Sequence, residues 1–148
     1  MQSGKGYSMT LDEPRALPEL CSILVEARIA VTPMGRALRI AGTMAVTGLD
    51  RSIDHKRVDG MIRSIPDYFP QIRAEVFRGK PVWSGLRPCP PDGVPYVGRF
   101  AKYPNLIAAT GHAMMGVSLA PSTGEMISKL VSGDTLGESQ RILSPDRV

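Results

Sequence analysis

Ala27-Arg28-Ile29-Ala30-Val31-Thr32-Pro33-Met34-Gly35-Arg36-Ala37-Leu38-Arg39-Ile40 reads as two strands hinged on a turn. Pro33-Met34-Gly35-Arg36 carries the turn, with Gly35 suited to positive φ, and beyond it Leu38 and Ile40 alternate with Arg39. This is a β-hairpin that continues towards Thr43 and Val46, so the sheet it seeds is antiparallel. Upstream, Leu20 to Glu26 is β-rich with Ile23 and Val25 on one face, Asp12 to Pro18 is a loop, and Gly6 to Leu11 alternates weakly.

Downstream the period changes. Ser52 or Asp54 caps a helix in which Val58, Met61, Ile62 and Ile65 form an apolar stripe to lay against the sheet. Gly60 weakens it, Pro66 should kink or end it, and Pro70 closes the segment. Val82 to Arg87 is a strand running into the turn Pro88-Cys89-Pro90-Pro91-Asp92-Gly93, followed by a short strand at Tyr96 to Gly98. Leu106 to Ala109 reads as a buried strand. A small-residue turn then leads into a final helix ending near Val131, with Gly133 as its stop, and the polar tail from Glu138 is expected to fray.

The 148 residues, 43% hydrophobic and 22% charged, suffice for one domain with a real core. The 15 Gly and 13 Pro favour turns and a sheet-dominated fold over long helices. No apolar run nears the roughly 20 residues that span a bilayer, and Met1 to Gly6 has no apolar signal stretch, so the expectation is a cytoplasmic protein. Cys21 and Cys89 fit neither a zinc spacing nor a disulfide framework and are expected to be free thiols. The net charge of +4 and pI near 9.3 raise nucleic acid as a partner. The interleaving of Arg28, Arg57 and Arg78 with Glu26, Asp59 and Glu75 argues against it.

Two features suggest chemistry. Arg87 follows an apolar strand and precedes turn residues, which sets a guanidinium at a strand end facing a cleft, where its planar fork suits a carboxylate. The plainer reading is a structural salt bridge. Gly111 to Gly116 is a glycine-bounded turn from strand to helix, where backbone N–H groups and the helix dipole favour an anionic or electron-rich group; the plainer reading is an ordinary connection. It is neither a P-loop nor a GxGxxG fingerprint. His112 alone reads as a hydrogen-bonded structural residue, and His55 as a solvated one. Met114 and Met115 either line an aromatic cofactor or pack in the core. Ser118 and Ser122 have no Ser/His/Asp arrangement, Trp83 is most simply a core anchor, no residue is assigned as the catalytic group, and no metal set is present.

An ordered series runs through the second half: Trp83-Ser84-Gly85-Leu86-Arg87-Pro88, Pro91-Asp92-Gly93-Val94-Pro95-Tyr96-Val97-Gly98, Asn105-Leu106, Gly111-His112 with Gly116, and Ala120-Pro121-Ser122-Thr123-Gly124. Each motif alone is weak. Five in order resemble the C-terminal signature of the D-amino-acid oxidase superfamily, most closely its bacterial D-amino acid dehydrogenase branch, with glycine oxidase a nearby relative. Gly4-Lys5-Gly6-Tyr7-Ser8 and Val31-Thr32-Pro33-Met34-Gly35 with Gly42-Thr43 extend the likeness, so that it covers about residues 4 to 133. The chain departs from the family pattern at Ala45, where an acidic residue is usual, at Pro90, where Ser or Thr is common, and at Gly60 and Pro66.

The resemblance implies an α+β fold: a mixed, largely antiparallel sheet with one mid-chain helix and a C-terminal helix, a fragment of the family's substrate domain. Residues 1–110 would belong to that domain, 111–133 would be the flavin-facing turn and helix, and 134–148 a polar tail. The family's N-terminal Rossmann segment, with its GxGxxG turn for the FAD pyrophosphate, has no counterpart here. Arg87 would clamp the substrate carboxylate, with Tyr7 and Tyr96 as cleft residues. Gly111, His112, Ala113, Met114, Met115, Gly116 and Val117 would face the flavin ring near N1 and the C2 carbonyl. The parent would oxidatively deaminate an amino acid, in particular the D-enantiomer, by hydride transfer to FAD. The fragment itself is expected to be inactive and not to retain FAD. The alternative is a non-catalytic assembly module that forms a homodimer or complements a separate flavin domain.

Overall fold

The computed structural model describes residues 1–147, which divide into two compact units. One comprises residues 5–86, the other 1–4 with 87–147. The elements run β1 (Gln2–Asp12), β2 (Ser22–Leu24), β3 (Ile29–Met34), β4 (Ala37–Val46), α1 (His55–Tyr68), β5 (Val82–Cys89), β6 (Tyr96–Arg99), β7 (Ile107–Thr110) and α2 (Gly116–Val131). Short 3-10 turns occupy Ala74–Phe77 and Glu138–Leu143. The class is α+β, as the sequence implies.

A five-stranded sheet has the order β2-β3-β4-β1-β5, with β2–β3 and β3–β4 antiparallel. The β3–β4 hairpin holds the expected register: Thr32 faces Arg39, Met34 faces Ala37, and Gly35 turns at φ 63°. One face carries Tyr7, Met9, Leu11, Ile29, Val31, Leu38 and Ile40 into a core with Val58, Met61 and Ile65 of α1. The stripe sets which face of α1 is buried, and Asp54 caps the helix by accepting from the Lys56 and Arg57 N–H groups. Of the two outcomes expected at Pro66, a kink or an end, the helix does not end there: only the bond to the Ile62 carbonyl is forgone, and Phe69 N–H still donates to Ile65 O at 2.9 Å.

In β4 the buried positions are Leu38, Ile40 and Gly42, then Ala45, so the alternation slips by one residue at Thr43. Thr43 has φ 59°, and its N–H donates to Arg28 O at 3.1 Å. An inserted residue of this kind turns the following side chains to the other face, leaving Met44 and Val46 exposed.

Trp83 overturns the reading of a core anchor. It is 64% exposed, and its ring lies over Gly85, where a Cβ would overlap it. Side chains two apart on a strand share a face, so the indole shields a glycine instead of filling the core.

The other unit holds the antiparallel pair β6–β7 and α2. Its buried residues are few, chiefly Tyr96, Val97 and Leu130. Leu106 is half exposed and Ile107 to Ala109 are not fully buried, so the buried strand expected there is a partly solvated one. Residues 138–147 are ordered by hydrogen bonds, including Ala101 N–H to the Asp146 carboxylate at 2.7 Å, where fraying was expected.

Candidate active site

Arg87 lies near the end of β5 and is half-buried. Its Nη1 is fully buried yet makes no hydrogen bond to the protein, whereas most buried nitrogens in folded chains are paired. The salt-bridge reading therefore fails for this nitrogen. The strand end is fixed by its backbone: Pro88 O accepts from Ala113 N–H at 3.1 Å, and Arg87 O accepts from the Cys89 thiol at 3.5 Å. The first of these bonds joins the Arg87 strand end to the Gly111 turn.

That turn follows from its residues. Gly111 has φ 81°, and a Cβ there would stand 2.8 Å from Pro90 Cγ and 3.3 Å from Tyr96 Cδ2, so only glycine fits. Pro90, a departure from the family pattern, is part of this packing. Ala113 takes φ 46°, an unusual conformation for a residue with a Cβ. His112 Nε2 lies 3.0 Å from Thr123 Oγ1, tying the turn to its own helix as the structural reading of this histidine anticipates. Met115 precedes α2 without a side-chain cap, so the Gly116, Val117 and Ser118 amides of the first turn have no side-chain acceptor from the cap. Around them, Met114 and Met115 are exposed and Val117 is 92% exposed, which excludes the core-packing account of the two methionines. An uncapped helix N-terminus rimmed by apolar side chains can receive the flat, electron-rich edge of a ring.

The tyrosines fall elsewhere. Tyr7 is 1% exposed inside the sheet–helix core, and its hydroxyl accepts from Asp54 N–H at 3.3 Å. It braces the start of α1. Tyr96 is 9% exposed, packed against Gly111 on one side and under the Arg147 guanidinium, 3.9 Å from the ring centre, on the other. It packs directly beneath the Gly111 turn.

Two ion pairs gave no signal in the sequence, since their partners are 45 and 55 residues apart. Lys5, almost fully buried, donates to Asp50 at 2.7 Å and to Ser52 O at 3.0 Å. The hydrogen bond from Lys5, aided by those from Ser52, holds the Asp50 carboxyl well below its ordinary range, and the same bond raises Lys5. Arg147 pairs with Asp92, whose carboxyl is lowered to about 2, chiefly by that hydrogen bond and next by the Val94 N–H. Both cysteines are free, and the described residues contain no cluster of metal-ligating side chains. None of the described helices is long and apolar enough to cross a membrane.

Residues 1–130 match the model of the FAD dependent oxidoreductase family, DAO. The chain therefore belongs to the DAO family of FAD-dependent oxidoreductases. It is 34% identical over 134 residues to a D-amino acid dehydrogenase of Xanthobacter autotrophicus, a match covering 87% of this chain and 30% of that protein. Its fold is similar to that of glycine oxidase from Geobacillus kaustophilus, with TM-score 0.81, 23% identity, and coverage of 99% of this chain and 39% of the other. Glycine oxidase from Bacillus cereus follows at TM-score 0.71 and 23% identity, covering 92% and 37%. The chain thus spans under half the length of each.

The residues at the start of α2 could receive the ring end of the FAD that the family's name implies. The uncapped α2 N-terminus and the exposed Met114, Met115 and Val117 supply amides and an apolar rim. No GxGxxG stretch occurs in the 148 residues, so a pyrophosphate cradle of that type is not among them.

Proposed function

We propose that this chain supplies the carboxylate clamp and the flavin-facing helix turn of an enzyme that oxidatively deaminates amino acids, the D-enantiomer in particular. The buried, unpartnered Nη1 of Arg87 is the observation that carries this reading. A cation held at a strand end with an unmet donor suits a bidentate acceptor such as an α-carboxylate. The name of the Xanthobacter relative supports the D-enantiomer.

In this reading Arg87 binds and orients the carboxylate, and Gly111 to Val117 set amides and a positive helix end against the flavin. FAD, when bound, would supply the acceptor for the hydride of the amino acid Cα. The α2 N-terminus would present a positive helix end to that group, and orientation of the substrate by Arg87 would supply much of the rate. Tyr7 and Tyr96 act through the fold. Lacking a GxGxxG cradle, the 148 residues by themselves neither hold FAD tightly nor turn over.

Two measurements test this. D-Alanine titrated into the isotopically labelled chain should shift the Arg87 side-chain resonance. Arg87→Met should weaken binding by roughly ten- to a hundredfold, as expected for loss of a charged hydrogen-bonded pair; equal binding by both proteins would refute the clamp. A chimera in which this chain replaces the matching part of the Xanthobacter enzyme should reduce an artificial acceptor with D-amino acids, and Arg87→Met should abolish it. A flavin absorbance band or turnover from the 148 residues alone would refute their inactivity.

A second reading is an assembly module, and the exposed Met114, Met115 and Val117 favour it. An apolar patch of this kind marks a surface that a flavin domain, or a second copy, would cover.

A further inference from the structure

Arg147 is engaged through its whole guanidinium. Its Nε donates to Asp92 Oδ2 at 2.8 Å and its Nη2 to Asp92 Oδ1 at 3.0 Å, a fork-on-fork pair. Nη1 donates to Pro95 O and to Ser144 O, each at 3.1 Å, and Nη2 also to Val94 O. All five guanidinium donors therefore have acceptors. The face of the group stacks on Tyr96, and the side chain is only 11% exposed. Ordinary surface arginines do not meet a receptor of this completeness, since holding a long side chain still costs entropy that an exposed pair barely offsets.

The receptor is contiguous with the candidate site. Asp92 Oδ1 accepts from Val94 N–H at 3.1 Å, closing the loop in which Gly93 N–H bonds Pro90 O at 3.3 Å. Pro90 and Tyr96 are the two residues that press on Gly111, and Tyr96 pairs with Thr110 in the β6–β7 ladder. Two residues beyond Gly111, the Ala113 N–H makes the bond to Pro88 O beside Arg87. The segment bearing Arg147 is itself laid along β6, where Pro145 packs so close to Gly98 that a Cβ there would be 2.8 Å away. It lies beyond residues 1–130, the stretch that matches the family.

We propose that Arg147 is a positioning residue: it locks the Pro90–Tyr96 loop, and through Pro90 and Tyr96 it fixes the Gly111 turn and the strand end that carries Arg87. This rests on the reading of that turn and of Arg87 as the site.

The test is amide hydrogen exchange on the full 148-residue chain, which needs no ligand. Arg147→Ala should speed exchange at Ala113 and Met115 by roughly tenfold or more, with the β3–β4 hairpin amides at wild-type rates. Arg147→Lys, which keeps the charge but cannot form the fork, should fall between the two. If Arg147→Ala does not fold, Arg147→Lys and Asp92→Asn carry the same comparison. Faster exchange confined to residues 92–99 and 144–147, with 111–115 unchanged, would reduce Arg147 to a local staple and overturn the proposal. D-Alanine binding by the wild-type chain is measured separately. Failure there removes the role given to Arg87, while the exchange data still decide whether Arg147 fixes the turn.

Discussion

Thr43 combines two local penalties, a β-branched side chain at φ 59° and a buried Oγ1 with no hydrogen-bond partner. Left-handed conformations of non-glycine residues cost on the order of 1–3 kcal/mol, against which glycine's extra backbone entropy is smaller. Thr43→Gly should therefore stabilise the chain by about 0.5–1 kcal/mol, read as a higher urea midpoint; a lower midpoint would mean that the hydroxyl contributes. The two ion pairs set the pH response. Asp50 and Asp92 both have carboxyls lowered from 3.8, so their stabilisation is complete above that value and is lost as pH falls through the lower folded values, about 2 for Asp92. Lys5 is raised, so its share is intact below 10.5 and is lost as pH rises beyond it. Asp92→Asn should flatten the decline between pH 4 and 2 in an acid titration followed by circular dichroism. Lys5 and Asp92 entered the sequence reading only as members of motifs and their pairings were not legible, because a charge whose partner is 45 or 55 residues away looks the same as a solvated one. The strand that carries Arg87 was legible, although it runs through Pro88 to Cys89 and not to Arg87 alone.

Elements set by a local period were read well. The β3–β4 turn, the α1 stripe and the stop of α2 near Gly133 each depend on residues within a few positions of one another. One local rule met a tertiary counterweight at Pro66, which the packed helix tolerates. Pro66→Ala restores the missing donor and should stabilise α1 by about 1–3 kcal/mol, visible as a raised thermal midpoint. At the other end of the helix, Asp54→Ala should cost about 1 kcal/mol by removing the cap. It would leave the Tyr7 hydroxyl bond to the residue-54 amide in place, so a larger loss would show that the two contacts act together.

At the scale of the molecule, the apolar side chains at the α2 N-terminus have no cover within the described residues. Met114→Gln with Val117→Ser should lower any concentration-dependent association seen by light scattering. Unchanged association would place the sticky surface elsewhere, with Leu20, Ile23 and Val25 next in line. Burial was the least legible property, because strand periodicity says which residues share a face but not whether anything lies on it. Trp83 is the plainest case, and it turns out to be useful. It is the chain's sole tryptophan, half out of water on the strand that leads to Arg87. Its fluorescence therefore comes from one known place. A blue shift on mixing with a flavin-binding polypeptide, or quenching when a flavin is brought near, would report the covering of that face without any label.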